Sequence, residues 1–182
     1  MFSRLIVLSG LIATAYAARP LPDVPIPTPD GRQIDLKQYR GKVVTLALIS
    51  TQCEECIGLM GLLSTLQKQY GPRGMQAVVA AINDDARTEI GPLAQRYRPG
   101  YPVGFLDRDA AMKIAALAPG TRPVVPILMF IDRKGVVRFQ YFGNDQPMKD
   151  GEKFIRTIMT GLINEDPNKP ARTITQQAPV PH

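Results

Sequence analysis

Ser50-Thr51-Gln52-Cys53-Glu54-Glu55-Cys56 holds both cysteines of the chain and lies between two segments of different periodicity. The residues before it, Val43-Val44-Thr45-Leu46-Ala47-Leu48-Ile49, make an almost unbroken apolar run, partly β-branched. That is the pattern of a strand buried on both faces. After it, Ile57, Met60, Leu63, Leu66 and Tyr70 recur at helical spacing, with Met60 read as core packing. The Cys-x-x-Cys pair therefore stands where a strand hands over to a helix. A spacing of three in the first turn places both sulfurs on one face, within disulfide reach. The open N–H groups and positive dipole end of that turn favour negative charge on Cys53. This is the chemistry of a dithiol redox site.

Residues 75–82 form a second apolar run and read as another buried strand. Asn83-Asp84-Asp85 ends it, with Asp84 or Asp85 as the cap of a helix reaching Tyr97. The two aspartates also resemble a paired-carboxylate site, but a cap on a solvated loop accounts for them. Residues 103–106 make a short third strand, and Asp107 or Asp109 caps a helix over 110–117. Residues 127–131 and 136–142 flank Asp132-Arg133-Lys134-Gly135 and predict a hairpin. Residues 152–163 predict a terminal amphipathic helix. Strands and helices alternate first and a hairpin closes the sheet. The expected architecture is an α/β three-layer sandwich with a central mixed β-sheet flanked by helices.

The chain has 182 residues, 45% of them hydrophobic, which suits one globular domain with a full core. Residues 1–17 have a short basic start at Arg4, an apolar stretch and Ala15-Tyr16-Ala17, and predict a cleavable secretory signal peptide. The apolar stretch is shorter than the roughly 20 residues of a spanning helix, so no stable membrane insertion is expected after cleavage. An exported, periplasmic or extracellular protein follows, and an uncleaved anchor is the alternative. Residues 18–29 carry five prolines, at 20, 22, 25, 27 and 29, and predict an extended linker that disfavours helix and sheet. Asp30-Gly31-Arg32 is a turn, residues 33–36 alternate like a short edge strand, and residues 36–39 suit one helical turn. The folded domain is expected over 30–164, and residues 165–182 read as a disordered tail.

With this order and motif position the chain resembles the thioredoxin superfamily, and within it the exported TlpA/ResA-like and alkyl hydroperoxide reductase/thiol-specific antioxidant-related proteins. The residues carrying the resemblance are Asp30-Gly31, Tyr39-Arg40-Gly41-Lys42-Val43-Val44, Cys53-Glu54-Glu55-Cys56, Val125-Pro126 and Phe130-Ile131-Asp132-Arg133-Lys134-Gly135. The resemblance implies that Val125-Pro126 is a cis-proline loop facing the two thiols and binding substrate. Two departures stand out. Gln52 replaces the usual Trp, and Ala47 replaces the buried carboxylate that thioredoxin uses in proton transfer.

The expected activity is thiol–disulfide exchange with protein cysteines, as a reductant, needing no cofactor and a separate recycling partner protein. Cys53 is expected to attack and Cys56, one turn further in, to resolve the mixed disulfide. Glu54 and Glu55 would tune the pair, since negative charge opposes a thiolate. A thiol peroxidase with antioxidant activity is the second class. The peroxiredoxin pattern has Pro and Thr ahead of its cysteine, and Leu46 and Ser50 occupy those places. A Cu(I) chaperone is the third, although copper-carrying relatives combine a longer cysteine spacing with a distant His. No metal site is expected, because the single histidine is the last residue. A net charge of +6 suits acidic partners, but basic residues scattered without aromatic interleaving argue against nucleic acid.

Overall fold

The computed structural model describes residues 18–166. The expected signal peptide lies outside the described residues, as does the part of the expected tail from 167 onward. In chain order the strands are β1 (Arg19–Pro20), β2 (Ile26–Pro27), β3 (Gln33–Ile34), β4 (Val43–Ile49), β5 (Met75–Ala81), β6 (Val103–Phe105), β7 (Ile127–Ile131) and β8 (Val136–Phe142). The helices are α1 (Glu54–Tyr70), α2 (Ala86–Tyr97), α3 (Arg108–Ala115), α4 (Gln146–Lys149) and α5 (Gly151–Ile163). A single 3-10 turn at Leu36–Tyr39 precedes β4.

The apolar runs at β4 and β5 are buried at every residue, because both strands lie inside the sheet and both faces are covered. The main sheet has the order β1-β8-β7-β4-β5-β6. β4, β5 and β6 run parallel, while β7, β8 and β1 add antiparallel neighbours. Alternation along each strand divides the core in two. Val43, Ala47 and Ile49 of β4 face α1 and α5, against Leu63, Leu66, Ile155 and Met159. Val44, Leu46 and Leu48 face the other way, toward Ile114 and Met112 of α3. This is the expected three-layer α/β sandwich with a mixed sheet.

The proline-rich stretch is extended as expected, but parts of it join sheets, which its composition disfavours. Arg19–Pro20 pairs with Val136 and Val137 at the sheet edge, and Ile26–Pro27 pairs with Gln33–Ile34 in a separate small sheet. Proline is tolerated there because an edge strand leaves one row of its backbone groups unpaired. Ile26 is fully buried beside Ile34 and Leu36, where α3 by itself leaves the sheet face open. Gly104 of β6 lets this segment approach, since a Cβ there would lie 2.4 Å from the Pro27 carbonyl oxygen. The Arg19 guanidinium donates to the Ile114 carbonyl at 2.7 Å and to Gln140 Oε1 at 2.8 Å. At the other end, Glu165 is part of the fold rather than the start of a tail. Its carboxylate accepts from Arg138 at 2.9 Å, and the Arg138 side chain is only 5% exposed.

Candidate active site

The site sits at the C-terminal end of β4, where the chain turns into α1. Cys53 occupies the N-cap of α1, with extended backbone (φ −98°, ψ 119°). The helix itself starts one residue later than the sequence pattern implies. The Cys53 sulfur takes the place usually held by a Ser or Asp oxygen, accepting the Cys56 N–H at 3.2 Å. Both cysteines are free thiols, Cys53 half-buried and Cys56 fully buried. Burial pushes the Cys56 thiol well above the ordinary thiol range, and its hydrogen bond with Cys53 and the charge of Glu55 push the same way. Cys56 is therefore the inward thiol of the pair, and Cys53 is the more accessible one.

The structure separates the two acidic neighbours. Glu55 Oε2 lies 3.6 Å from the Cys53 sulfur and accepts from its thiol. Glu54 is exposed, and among the described residues its side chain has no such bond to either thiol.

Strand register brings in the proline loop. β7 runs antiparallel to β4 with Ile127 opposite Leu48, so residues 125 and 126 arrive beside the end of β4. The Val125-Pro126 peptide is cis, as the resemblance implies. Pro126 is buried, and half-buried Val125 packs on the same core cluster as Cys53 and Cys56. Next to it, Val124 is 46% exposed. Gly143, just past β8, was not legible as a site neighbour in the sequence. A Cβ there would fall 2.5 Å from the Val125 carbonyl oxygen and 2.9 Å from Pro126 Cδ. Only a glycine lets β8 end so close to that loop.

A second group escaped sequence reading. Asn83 follows β5, and pairing of Ile49 with Ala81 sets it beside the turn that leads to Cys53. Asn83 Oδ1 accepts the Thr51 N–H at 3.1 Å, and its Nδ2 donates to Thr51 Oγ1 at 2.9 Å and Glu89 Oε2 at 3.0 Å. Glu89 of α2 also accepts from the Thr51 hydroxyl and, at 3.3 Å, from Gln52 Nε2. Hydrogen bonds from Thr51, Gln52 and Asn83 hold its carboxyl below the ordinary Glu range. The one available signal was the polar residue just after a parallel strand, at the sheet edge where sites form. The neighbouring Asp85 occupies the N-cap position of α2 without a side-chain cap bond, and Asp107 caps α3 through the Ala110 N–H at 2.8 Å.

Comparison with known proteins agrees with this geometry. The model of the AhpC/TSA family matches residues 17–140. Two curated relatives are named thiol-disulfide oxidoreductase ResA. The one from Bacillus thuringiensis subsp. konkukian is 24% identical over 129 residues, covering 71% of this chain and 70% of the relative. The one from Bacillus anthracis is 27% identical, with the same coverage of 71% and 70%. Among solved structures, a thiol:disulfide interchange protein of the thioredoxin family from Chlorobium tepidum superposes with a TM-score of 0.68. Identity there is 19%, and the match covers 80% of this chain and 97% of that one. A thiol:disulfide interchange protein from Bacteroides sp. gives a TM-score of 0.62 at 11% identity, over 80% and 89% of the two chains. A thioredoxin fold, a Cys-x-x-Cys pair at the head of α1 and a match spanning most of the folded region place the chain in the AhpC/TSA family, on its ResA-like side.

Proposed function

We propose that this thiol–disulfide oxidoreductase is an exported reductant of protein disulfides, with Cys53 as the attacking thiolate and Cys56 as the resolving thiol. The observation that carries the reading is the asymmetry of the pair. One sulfur is half-buried at a helix N-terminus, and the other is fully buried behind it. The names of the ResA relatives support the same activity. Among the described residues no helix is long and apolar enough to cross a membrane.

The Cys53 thiolate attacks one sulfur of a substrate disulfide, the substrate S–S bond breaks, and the other substrate sulfur leaves as a thiolate that takes a proton. Cys56 then loses its proton and attacks the Cys53 sulfur, the mixed disulfide between Cys53 and the substrate breaks, and the expelled substrate thiolate takes up a proton. A Cys53–Cys56 disulfide forms and the substrate departs with two thiols. A recycling partner protein returns two electrons to the pair. Ala47 is buried and apolar, so β4 offers no carboxylate at that position for the Cys56 proton. The backbone of Val125, ahead of buried Pro126, would pair with an extended substrate segment, and exposed Val124 adds apolar contact.

Thiol peroxidase activity is the second reading, and the family match is the observation that favours it. Against it, Leu46 lies on the face of β4 turned toward α3, away from the thiols. Insulin reduction and peroxide consumption, measured on one purified sample, separate the two. Insulin reduction well above the dithiothreitol background with negligible peroxide turnover is expected, and the reverse pattern would make the protein a peroxidase.

Glu55 supplies a further test. Glu55 Oε2 lies 3.6 Å from the Cys53 sulfur, so a reacting Cys53 thiolate meets a like charge that the neutral disulfide does not. Glu55→Gln keeps an acceptor for the thiol and removes the charge. The reduction potential should rise by on the order of 20 mV, and the Glu54→Gln shift should be smaller. A glutathione redox titration reads both, and equal shifts would mean that contact with Cys53 does not matter.

A further inference from the structure

We propose that Glu89 is a positioning residue of the dithiol site: it clamps the turn before Cys53 to β5 and α2, and so holds the Cys53 sulfur on the Cys56 amide. Ser50 through Cys53 form one tight reversal, closed by the Cys53 N–H on the Ser50 carbonyl at 3.3 Å and by the Gln52 N–H on Ser50 Oγ at 3.3 Å. These are long bonds, and they leave the turn weakly held from within.

The turn is held from outside by two side chains. Asn83 grips the Thr51 backbone and hydroxyl, and Glu89 grips the Thr51 hydroxyl and the Gln52 amide. Asn83 and Glu89 also bond each other at 3.0 Å, which makes the clamp one connected network. Every donor in it points at the Glu89 carboxylate or at a group that does. The carboxylate is the shared acceptor of three side chains. Such networks act as units, so loss of the common acceptor frees more than one bond.

Thr51 and Gln52 are the two residues directly ahead of the α1 N-cap. Freedom at those residues becomes freedom of the Cys53 backbone, and the 3.2 Å contact of its sulfur with the Cys56 N–H depends on that backbone. Glu89 touches neither sulfur by any bond among the described residues, so its action runs through the turn. It is therefore a positioning residue, not a catalytic one.

The proposal rests on Cys53 as the reactive thiol, and the test reads that thiol without any disulfide substrate. Full-length protein carrying Cys56→Ser leaves Cys53 as the single thiol, and its alkylation by iodoacetamide at neutral pH is followed by mass spectrometry. Adding Glu89→Ala should slow alkylation about fivefold, the scale of one or two hydrogen bonds lost from an ordered site. Adding Glu89→Gln should stay within about twofold, because the amide oxygen still accepts from Thr51 and Asn83. Gln95→Ala, an exposed change on the same helix, should leave the rate unchanged.

Three results would overturn the proposal. One is a Glu89→Ala rate equal to the parent's. Another is a Gln95→Ala loss as large as that of Glu89→Ala, which is general loosening of α2. The last is an equal acceleration by Glu89→Ala and Glu89→Gln, which is a charge effect and not a clamp. If circular dichroism finds Glu89→Ala unfolded, Asn83→Ala carries the same expectation, since it removes the other arm. A clamp seen in alkylation together with absent insulin reduction would sink the proposed function and leave the positioning role standing.

Discussion

Cys56→Ser is expected to accumulate mixed disulfides with protein partners, while Cys53→Ser traps almost none. The first variant keeps the half-buried sulfur at the helix cap and can still attack a substrate disulfide. It lacks the thiol that would release the product, so the adduct persists. The second variant keeps only Cys56, which is fully buried and whose thiol burial holds in the protonated form. A bulky partner cannot reach it, and little of it is thiolate. Insulin reduction should fall by roughly two orders of magnitude or more in both variants, because the two thiols act as a unit. Non-reducing gels of protein recovered from cells read the trapping, and bands that vanish with reductant identify it. A peroxidase would behave differently. After peroxide, Cys56→Ser would hold Cys53 as a sulfenic acid with few protein adducts. Equal trapping by the two variants would reverse or erase the assignment of roles.

Ile26→Ala is expected to destabilise the protein by about 3 kcal/mol, a large share of the stability of an ordinary domain. The residue lies in a stretch whose composition reads as a spacer, yet it is fully buried against Ile34, Leu36 and the α3-facing side of the sheet. Truncation leaves a cavity that β6 cannot close, because the Pro27 backbone already sits against Gly104. Pro29→Ala, an exposed change in the same stretch, should cost less than about 1 kcal/mol. Urea denaturation of the two variants beside the parent gives the difference directly. An Ile26→Ala loss as small as that of Pro29→Ala would return residues 18–29 to the role of a free linker.

Local patterns in the chain suffice for the central strands, the position of the thiols and the hairpin. β4 occupies the predicted residues, as do β7 and β8. β5 and α5 differ from the prediction by a single residue at one end. These elements have strong local signals: long apolar runs, a turn with its own glycine, and a cysteine pair between two patterns of different period. α3 starts two residues earlier than predicted, since Asp107 supplies the cap and the helix begins directly after it.

Other features depend on long-range packing that no local pattern encodes. Composition marks residues 18–29 as extended and proline-rich, and extended chain is equally able to stand free or to line an exposed sheet edge. Only the apolar face left open beside α3 makes Ile26 core and Arg19 a tie between α3 and β8. The two glutamates of the motif are adjacent in sequence and equivalent there. The pitch of α1 turns Glu55 onto the Cys53 sulfur and leaves Glu54 in solvent. Asn83 and Glu89 are remote from both thiols in sequence, and they meet the turn before Cys53 because β4 and β5 end side by side. Local propensity acts over a few residues, whereas the sheet register acts across the whole chain. The thiols belong to the first kind of information, and the groups that hold them in place belong to the second.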